Sequence, residues 1–274
     1  MKRKIKKEIQ AEHKLSLEQE LELLASDELD LVKRYLGRYT LYPTAQIELV
    51  KMNNLDLLKT YCEERNRWLC EEAEILLLQT AGRKIVSYYI SNFGLHATAE
   101  VELIDARLCL PYTQNNELIK QYVKRGKMCY AAEKKLLYSG KKDVILCYLE
   151  KTSLDVPLQL ELFGLDRDYI VLYIKEHNLC AEAQEKLLES NDKELLELYV
   201  KYHPFFTERL QIDFFKKATF EIINEYCQRW QLTNGAQIEL VKNYDWNLVK
   251  TYLNNFELCN HAWQLFMTKI HIGL

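Results

Sequence analysis

Nine tyrosines recur along the chain in nearly fixed register: Tyr35, Tyr61, Tyr89, Tyr122, Tyr148, Tyr173, Tyr199, Tyr226 and Tyr252. The successive intervals are 26, 28, 33, 26, 25, 26, 27 and 26 residues. A period of about 20 to 50 residues marks a chain built from stacked copies of one supersecondary unit. Sixteen residues before most of these tyrosines stands an alanine, at Ala45, Ala73, Ala132, Ala183 and Ala236. Gln19 and Leu210 take that place in two repeats, Leu158 lies one residue nearer its tyrosine, and Ala99 is displaced. A last repeat opens at Ala262.

Two apolar patterns fill each repeat. Four and five residues after the alanine come pairs such as Leu49/Val50, Leu77/Leu78 and Leu240/Val241, which share one helical face with it. Around the tyrosine, Leu57/Leu58/Cys62, Ile85/Val86/Ile90 and Leu248/Val249/Leu253 trace a second helical face. Asn54, Asn115, Asp166, Asp192, Thr219 and Asp245 stand seven residues before the tyrosine, where short polar side chains cap a helix start. Ser16, Asp155, Thr207 and Thr233 are expected to cap first helices, and Pro43 and Pro157 fall in their opening turns. An apolar column (Leu15, Leu41, Leu69, Leu95, Met128, Leu154, Leu179, Phe206, Leu232, Leu258) is expected to tuck each linker against the core.

Gly and Pro number only 8 and 4 in 274 residues, far too few for turn-rich sandwiches or barrels. The expectation is an all-α chain, an α-solenoid of about nine two-helix repeats plus a truncated C-terminal repeat. A basic arm, residues 1–14, precedes a single repeat domain over residues 15–274. Helices of this length are marginal alone, so stability must come from stacking. Over residues 15 to 274 the sequence resembles the α-solenoid superfamily, the architecture of HEAT, armadillo and tetratricopeptide repeats. Its repeat of about 26 residues is shorter than their units of about 34 to 47. The resemblance implies the fold and a general habit of binding partners along a concave face.

The period breaks where the interval from Ala99 to Tyr122 grows to 23 residues. The extra residues, around Arg107 to Gln114, form either a recognition loop carrying Tyr112 or an apolar plug through Leu108, Cys109 and Leu110. A smaller break places Trp68 at the join of two repeats, as core or as an exposed anchor, with core preferred.

No phosphate-binding glycine loop and no metalloprotease or nucleophile-elbow motif occurs, so no enzymatic activity, metal or cofactor is expected. The six histidines scatter mostly to repeat junctions, and the eight cysteines form no C-x-x-C. Cys70, Cys129, Cys180 and Cys259 recur three before the alanine, too far apart in the stack to meet. Glu or Gln follows the alanine position in nearly every repeat, from Glu20 to Gln237. An acid needed once for catalysis would not recur this way, so the column points to a structural duty, either charge compensation at helix N-termini or hydrogen bonds between repeats.

No apolar run approaches the ~18 residues of a membrane span, and a cytoplasmic, reduced protein is expected. Leu146, Val171, Leu172 and Leu198 put apolar side chains where neighbouring repeats carry polar ones. They suggest a groove for a protein or peptide partner, aided by Tyr112. The alternative is nucleic-acid binding through the basic arm and an interrupted stripe of Lys33, Arg34, Lys59, Lys120, Lys124, Arg125 and Lys250. A net charge of -3 speaks against that alternative. Oligomeric state is left open, although Trp263, Phe266 and Met267 lack a following helix to cover them.

Overall fold

The computed structural model describes Ile5, Glu8, Ile9, and residues 12–64, 66–105 and 112–271, with the side chains of 112–114 excepted. Among these residues there are 19 helices and no strand, and the chain is 70% helical. The helices alternate as first and second members of each repeat. First helices are α1 (Leu17–Leu24), α3 (Pro43–Lys51), α5 (Glu71–Thr80), α7 (Ala97–Asp105), α9 (Tyr130–Leu137), α11 (Val156–Leu162), α13 (Ala181–Glu189), α15 (Glu208–Lys217), α17 (Asn234–Asn243) and α19 (Asn260–His271). Second helices are α2 (Leu29–Leu36), α4 (Leu55–Glu63), α6 (Arg83–Asn92), α8 (Tyr112–Val123), α10 (Lys142–Leu149), α12 (Arg167–Glu176), α14 (Lys193–Tyr202), α16 (Phe220–Arg229) and α18 (Trp246–Leu253).

The chain divides into two compact bodies, Met1–Tyr148 and Leu149–Leu274. Within the first, α1, α3, α5, α7 and α9 pack in file, while α2 packs on α4 and α6 on α8. Within the second, α11, α13, α15, α17 and α19 form one layer and α12, α14, α16 and α18 the other. Within each body most helices thus meet the equivalent helix of the next repeat, consistent with a helical-repeat solenoid.

The residues that set the period form the core. Tyr35, Tyr61, Tyr89, Tyr148, Tyr173, Tyr199, Tyr226 and Tyr252 are fully buried, and Ala45, Ala73, Ala99, Ala132, Ala183, Ala236 and Ala262 lie wholly inside. A methyl group at the alanine position lets the first-helix layer close up, and the phenol rings fill the space between layers. Several helix starts follow the expected chemistry, while Thr219 and Thr233 hold the N-cap positions of α16 and α17 without a side-chain cap hydrogen bond. Asn54, Asp166, Asp192 and Asp245 accept amide hydrogen bonds from the first turns of α4, α12, α14 and α18. Ser16 and Gln19 form a reciprocal capping box on α1, and Pro43 and Pro157 sit in opening turns.

Three expectations need correction. Asn115 does not cap a helix: α8 starts at Tyr112, which places Asn115 inside it and buried. Phe206 does not fill the linker column. It is 54% exposed while Phe205 is buried, because Pro204 and Phe205 turn into the core one residue earlier and Thr207 then caps α15. Trp68 is not core but half exposed, its indole laid over Gly94 and edge-on to His96 at 6.4 Å between ring centroids. A Cβ on Gly94 would stand 3.2 Å from that ring, so the glycine makes room for it. Of the expected insertion, residues 107–111 lie outside the described residues, and 112–114 open α8 with side chains, including that of Tyr112, outside them too.

Candidate functional site

The most regular chemistry in the molecule is a buried polar relay built once per repeat. The hydroxyl of Tyr35 donates to Glu20 Oε1 at 2.8 Å and accepts the Leu15 N–H at 3.1 Å, while Glu20 Oε2 accepts the Tyr42 N–H of the next repeat at 2.9 Å. Tyr89 repeats this with Glu74 (2.9 Å) and Leu69 (3.0 Å), and Glu74 Oε2 takes the His96 N–H at 2.7 Å. Tyr122 does so with Glu100 (2.7 Å) and Leu95 (3.2 Å), and Glu100 takes the Cys129 N–H at 2.6 Å. In the same pattern Tyr148 donates to Glu133 at 2.5 Å and accepts from Met128 at 3.2 Å. An ionised carboxylate only accepts, so Glu20, Glu74 and Glu100 each join a donor of their own repeat to a donor of the next.

The second body does the same work with amides. Gln159, Gln184, Gln211 and Gln237 each donate Nε2 to the carbonyl of their own linker, at Leu154, Leu179, Phe205 and Leu232. Each then accepts through Oε1 from the next linker, at Cys180, Phe206, Thr233 and Cys259. Gln46 supplies the amide version inside the first body, with Leu41 and Cys70. The Tyr61 hydroxyl beside it faces Leu41 without closing a hydrogen bond of normal geometry.

Burial raises Glu20 and Glu74 above the ordinary carboxylate value of 4.5, although the Tyr and linker N–H donors pull the other way. His96 Nδ1 also stands 2.9 Å from Glu74 Oε2. A carboxyl whose folded pKa is raised stabilises the fold fully below its unfolded pKa and loses that contribution as pH rises through the folded value.

A second column closes the carboxyl ends of second helices. Arg67 Nη1 donates to the Leu36 and Tyr39 carbonyls at 2.5 and 2.6 Å, and Arg125 Nη1 to those of Ile90 (2.5 Å) and Phe93. In the second body His177 meets Leu149 O at 2.8 Å, His203 meets Ile174 O at 2.6 Å, Trp230 Nε1 meets Val200 O at 2.6 Å and Asn255 meets Gln228 O at 3.0 Å. Burial lowers the pKa of His203, against the pull of the Ile174 carbonyl. These donors satisfy carbonyls that a helix end leaves orphaned. The residue four after the tyrosine also stacks on its ring: Tyr39 on Tyr35 at 4.9 Å, Phe93 on Tyr89 at 5.2 Å, and Phe256 on Tyr252 at 5.2 Å.

The residues proposed from sequence as a partner groove are half-buried on second helices: Leu146 on α10 in the first body, and Val171, Leu172 and Leu198 on the adjacent α12 and α14 of the second. Leu172 and Leu198 hold equivalent places one residue before their tyrosines, and Leu198 shares its helix face with Tyr202, 40% exposed, one turn further on. The basic stripe is engaged in part. Arg125 caps α6, Lys120 reaches Glu117 at 3.5 Å and Asp143 at 3.9 Å, and Lys59 lies 5.1 Å from the Tyr88 ring centroid. Arg34 shares a shallow groove with Asp27, Glu28 and Asp30, while Lys33, Lys124 and, in the other body, Lys250 are exposed. Cys70, Cys129 and Cys180 stand at helix caps, their thiols pushed up by burial. Among the described residues no three His, Cys, Asp or Glu side chains gather as a metal-binding group, and no helix is long and apolar enough to cross a membrane.

No family model, curated protein or solved structure matches this chain.

The carbonyl-capping donors and the stacked rings escaped the sequence reading. The signal was a ring or an N–H donor three to six residues after eight of the nine tyrosines, spread over Arg, His, Trp, Asn, Tyr and Phe, so that no one residue type marked the column.

Proposed function

We propose that this chain is a non-enzymatic helical-repeat scaffold that binds a protein or peptide partner. The observation that carries this reading is the contrast between inner and outer positions. In eight of the nine repeats the acid or amide bonds across the same joint, so the polar groups that recur are structural, while the large apolar side chains left at the surface recur only in part, as where Leu29, Phe220 and Trp246 each open a second helix, and otherwise differ from repeat to repeat. In the second body the partner face is the flank of α12 and α14, where Val171 and Leu172 lie on one helix, Leu198 shares a stripe with the exposed Tyr202 on the next, and the exposed Phe206 stands in the linker that follows. Exposed aromatic rings such as these are enriched at interfaces, and Tyr is enriched among hot spots.

Affinity capture with the whole chain, repeated with a Tyr202→Ala, Phe206→Ala double variant, tests this surface. Both rings are substantially exposed, so the variant is expected to keep its far-ultraviolet dichroism and melting point. Retention of the partner is expected to fall at least roughly tenfold, as loss of one hot-spot ring does. A folded variant that keeps every partner at undiminished yield refutes the surface.

A further inference from the structure

Outside the joints and the second-helix flank, one groove combines exposed rings with positive charge. It occupies about 630 Å³ beside α7 and α9 in the first body, and its lining includes Tyr130, Lys134, Lys135, Tyr138, Lys141 and Asp105. Tyr130 and Tyr138 are 43% and 57% exposed. Tyr130, Lys134 and Tyr138 are spaced i, i+4, i+8, so a helix sets them in one stripe with Lys134 in sequence between the two tyrosines. At a rise of 1.5 Å per residue the two rings are about 12 Å apart along the axis. Lys135 adds a second cation on the adjoining face, ion-paired to Asp105, and Lys141 holds the Ile104 carbonyl at the end of α7 at 2.5 Å. The described residues that line the groove include three lysines and one carboxylate, whereas the chain as a whole carries a net charge of -3.

We propose that this groove binds single-stranded nucleic acid, with bases stacked on Tyr130 and Tyr138 and the intervening phosphate on Lys134. The chemistry matches the ligand in both its parts. Every base offers a π-face to a half-exposed phenol, and the lysine in the same stripe offers a cation to the backbone charge. An acidic polypeptide would use the lysines but gain nothing specific from two rings in one stripe with a lysine. Duplex nucleic acid would offer phosphates but no free base face. The site differs from the second-helix flank proposed for a protein partner, so either can fail alone.

The test is fluorescence anisotropy of the whole chain with a labelled oligouridylate of about 15 nucleotides, a length within single-strand site sizes. Binding at about 50 mM salt is expected, weakening steeply by about 200 mM. Tyr130→Ala and Tyr138→Ala are each expected to weaken it roughly 5- to 150-fold. Lys134→Gln is expected to reduce the salt slope by about 0.7. Both tyrosines are largely outside the core, and unchanged melting points confirm that the variants fold. No binding at low salt overturns the proposal. So does binding that ignores the tyrosine substitutions, or that polyglutamate of equal charge displaces as well as unlabelled oligouridylate, which would mark a surface for acidic protein.

Discussion

Replacing Glu74 with Ala is expected to destabilise the first body by about 2–5 kcal/mol, because the Tyr89 hydroxyl and the His96 N–H are left buried without their acceptor, each at about 1–3 kcal/mol. Glu74→Gln is expected to stay within about 1 kcal/mol of the parent at acidic pH. An amide already does this duty at Gln237, whose Nε2 stands 3.3 Å from the Tyr252 hydroxyl while Oε1 takes the Cys259 N–H. The two substitutions separate the need for an acceptor from the need for a charge. The pH dependence follows from the raised folded pKa of Glu74. Above the ordinary value of 4.5 the unfolded chain gives up its proton first, so the parent loses stability as pH climbs from there to the folded pKa. Glu74→Gln lacks that loss and is expected to gain on the parent over the same window. Urea unfolding at several pH values checks both statements, and a Glu74→Ala variant as stable as the parent contradicts the relay.

Removing a ring from the series carries the second large effect. Tyr226 is fully buried against Phe214 and Phe205, at centroid distances of 4.8 and 5.8 Å, and its hydroxyl accepts the Phe205 N–H at 3.0 Å. Tyr226→Ala is expected to cost about 3–5 kcal/mol, as large aromatic truncations in cores do. Tyr226→Phe keeps the ring and strands one buried N–H, for about 1–3 kcal/mol. Tyr61→Phe is the internal control. That hydroxyl closes no hydrogen bond of normal geometry, so its loss is expected to change stability by less than about 1 kcal/mol. Denaturant melts of the three variants decide it. Equal costs for Tyr226→Phe and Tyr61→Phe would mean that the hydroxyls play no part in the joints.

The architecture was legible because its constraint is periodic. A ring that must fill the gap between two layers can stand at only one place per repeat, and the alanine that lets first helices approach is tied to it by a fixed helical offset. The Glu/Gln column was legible for the same reason, and its recurrence pointed to a structural duty rather than to catalysis, with bonds between repeats one of two duties it allowed. What the sequence hid is whatever many side chains can supply. Arg67, Arg125, His177, His203, Trp230 and Asn255 share nothing but an N–H within reach of a helix end. Arg125 therefore read as a phosphate ligand, although it closes a helix. Exposure at repeat edges was equally hidden. Whether Trp68 enters the core or lies across Gly94 depends on a linker two residues longer than the rest, which periodicity treats only as an interruption. The stripe of Tyr130, Lys134 and Tyr138 escaped because it runs along the outer face of one first helix and has no counterpart in other repeats.

If each repeat leans on the next through its buried acid or amide, the linker amides that donate across the joints must be among the slowest to exchange. Hydrogen exchange at the backbone N–H groups of His96, Cys129, Cys180 and Thr233 measures this directly. Protection comparable to that of the flanking helix interiors is the expected result, since opening a joint should require the cooperative loss of a whole repeat. Exchange at the rate of an unstructured chain, with the helices still protected, would contradict the account.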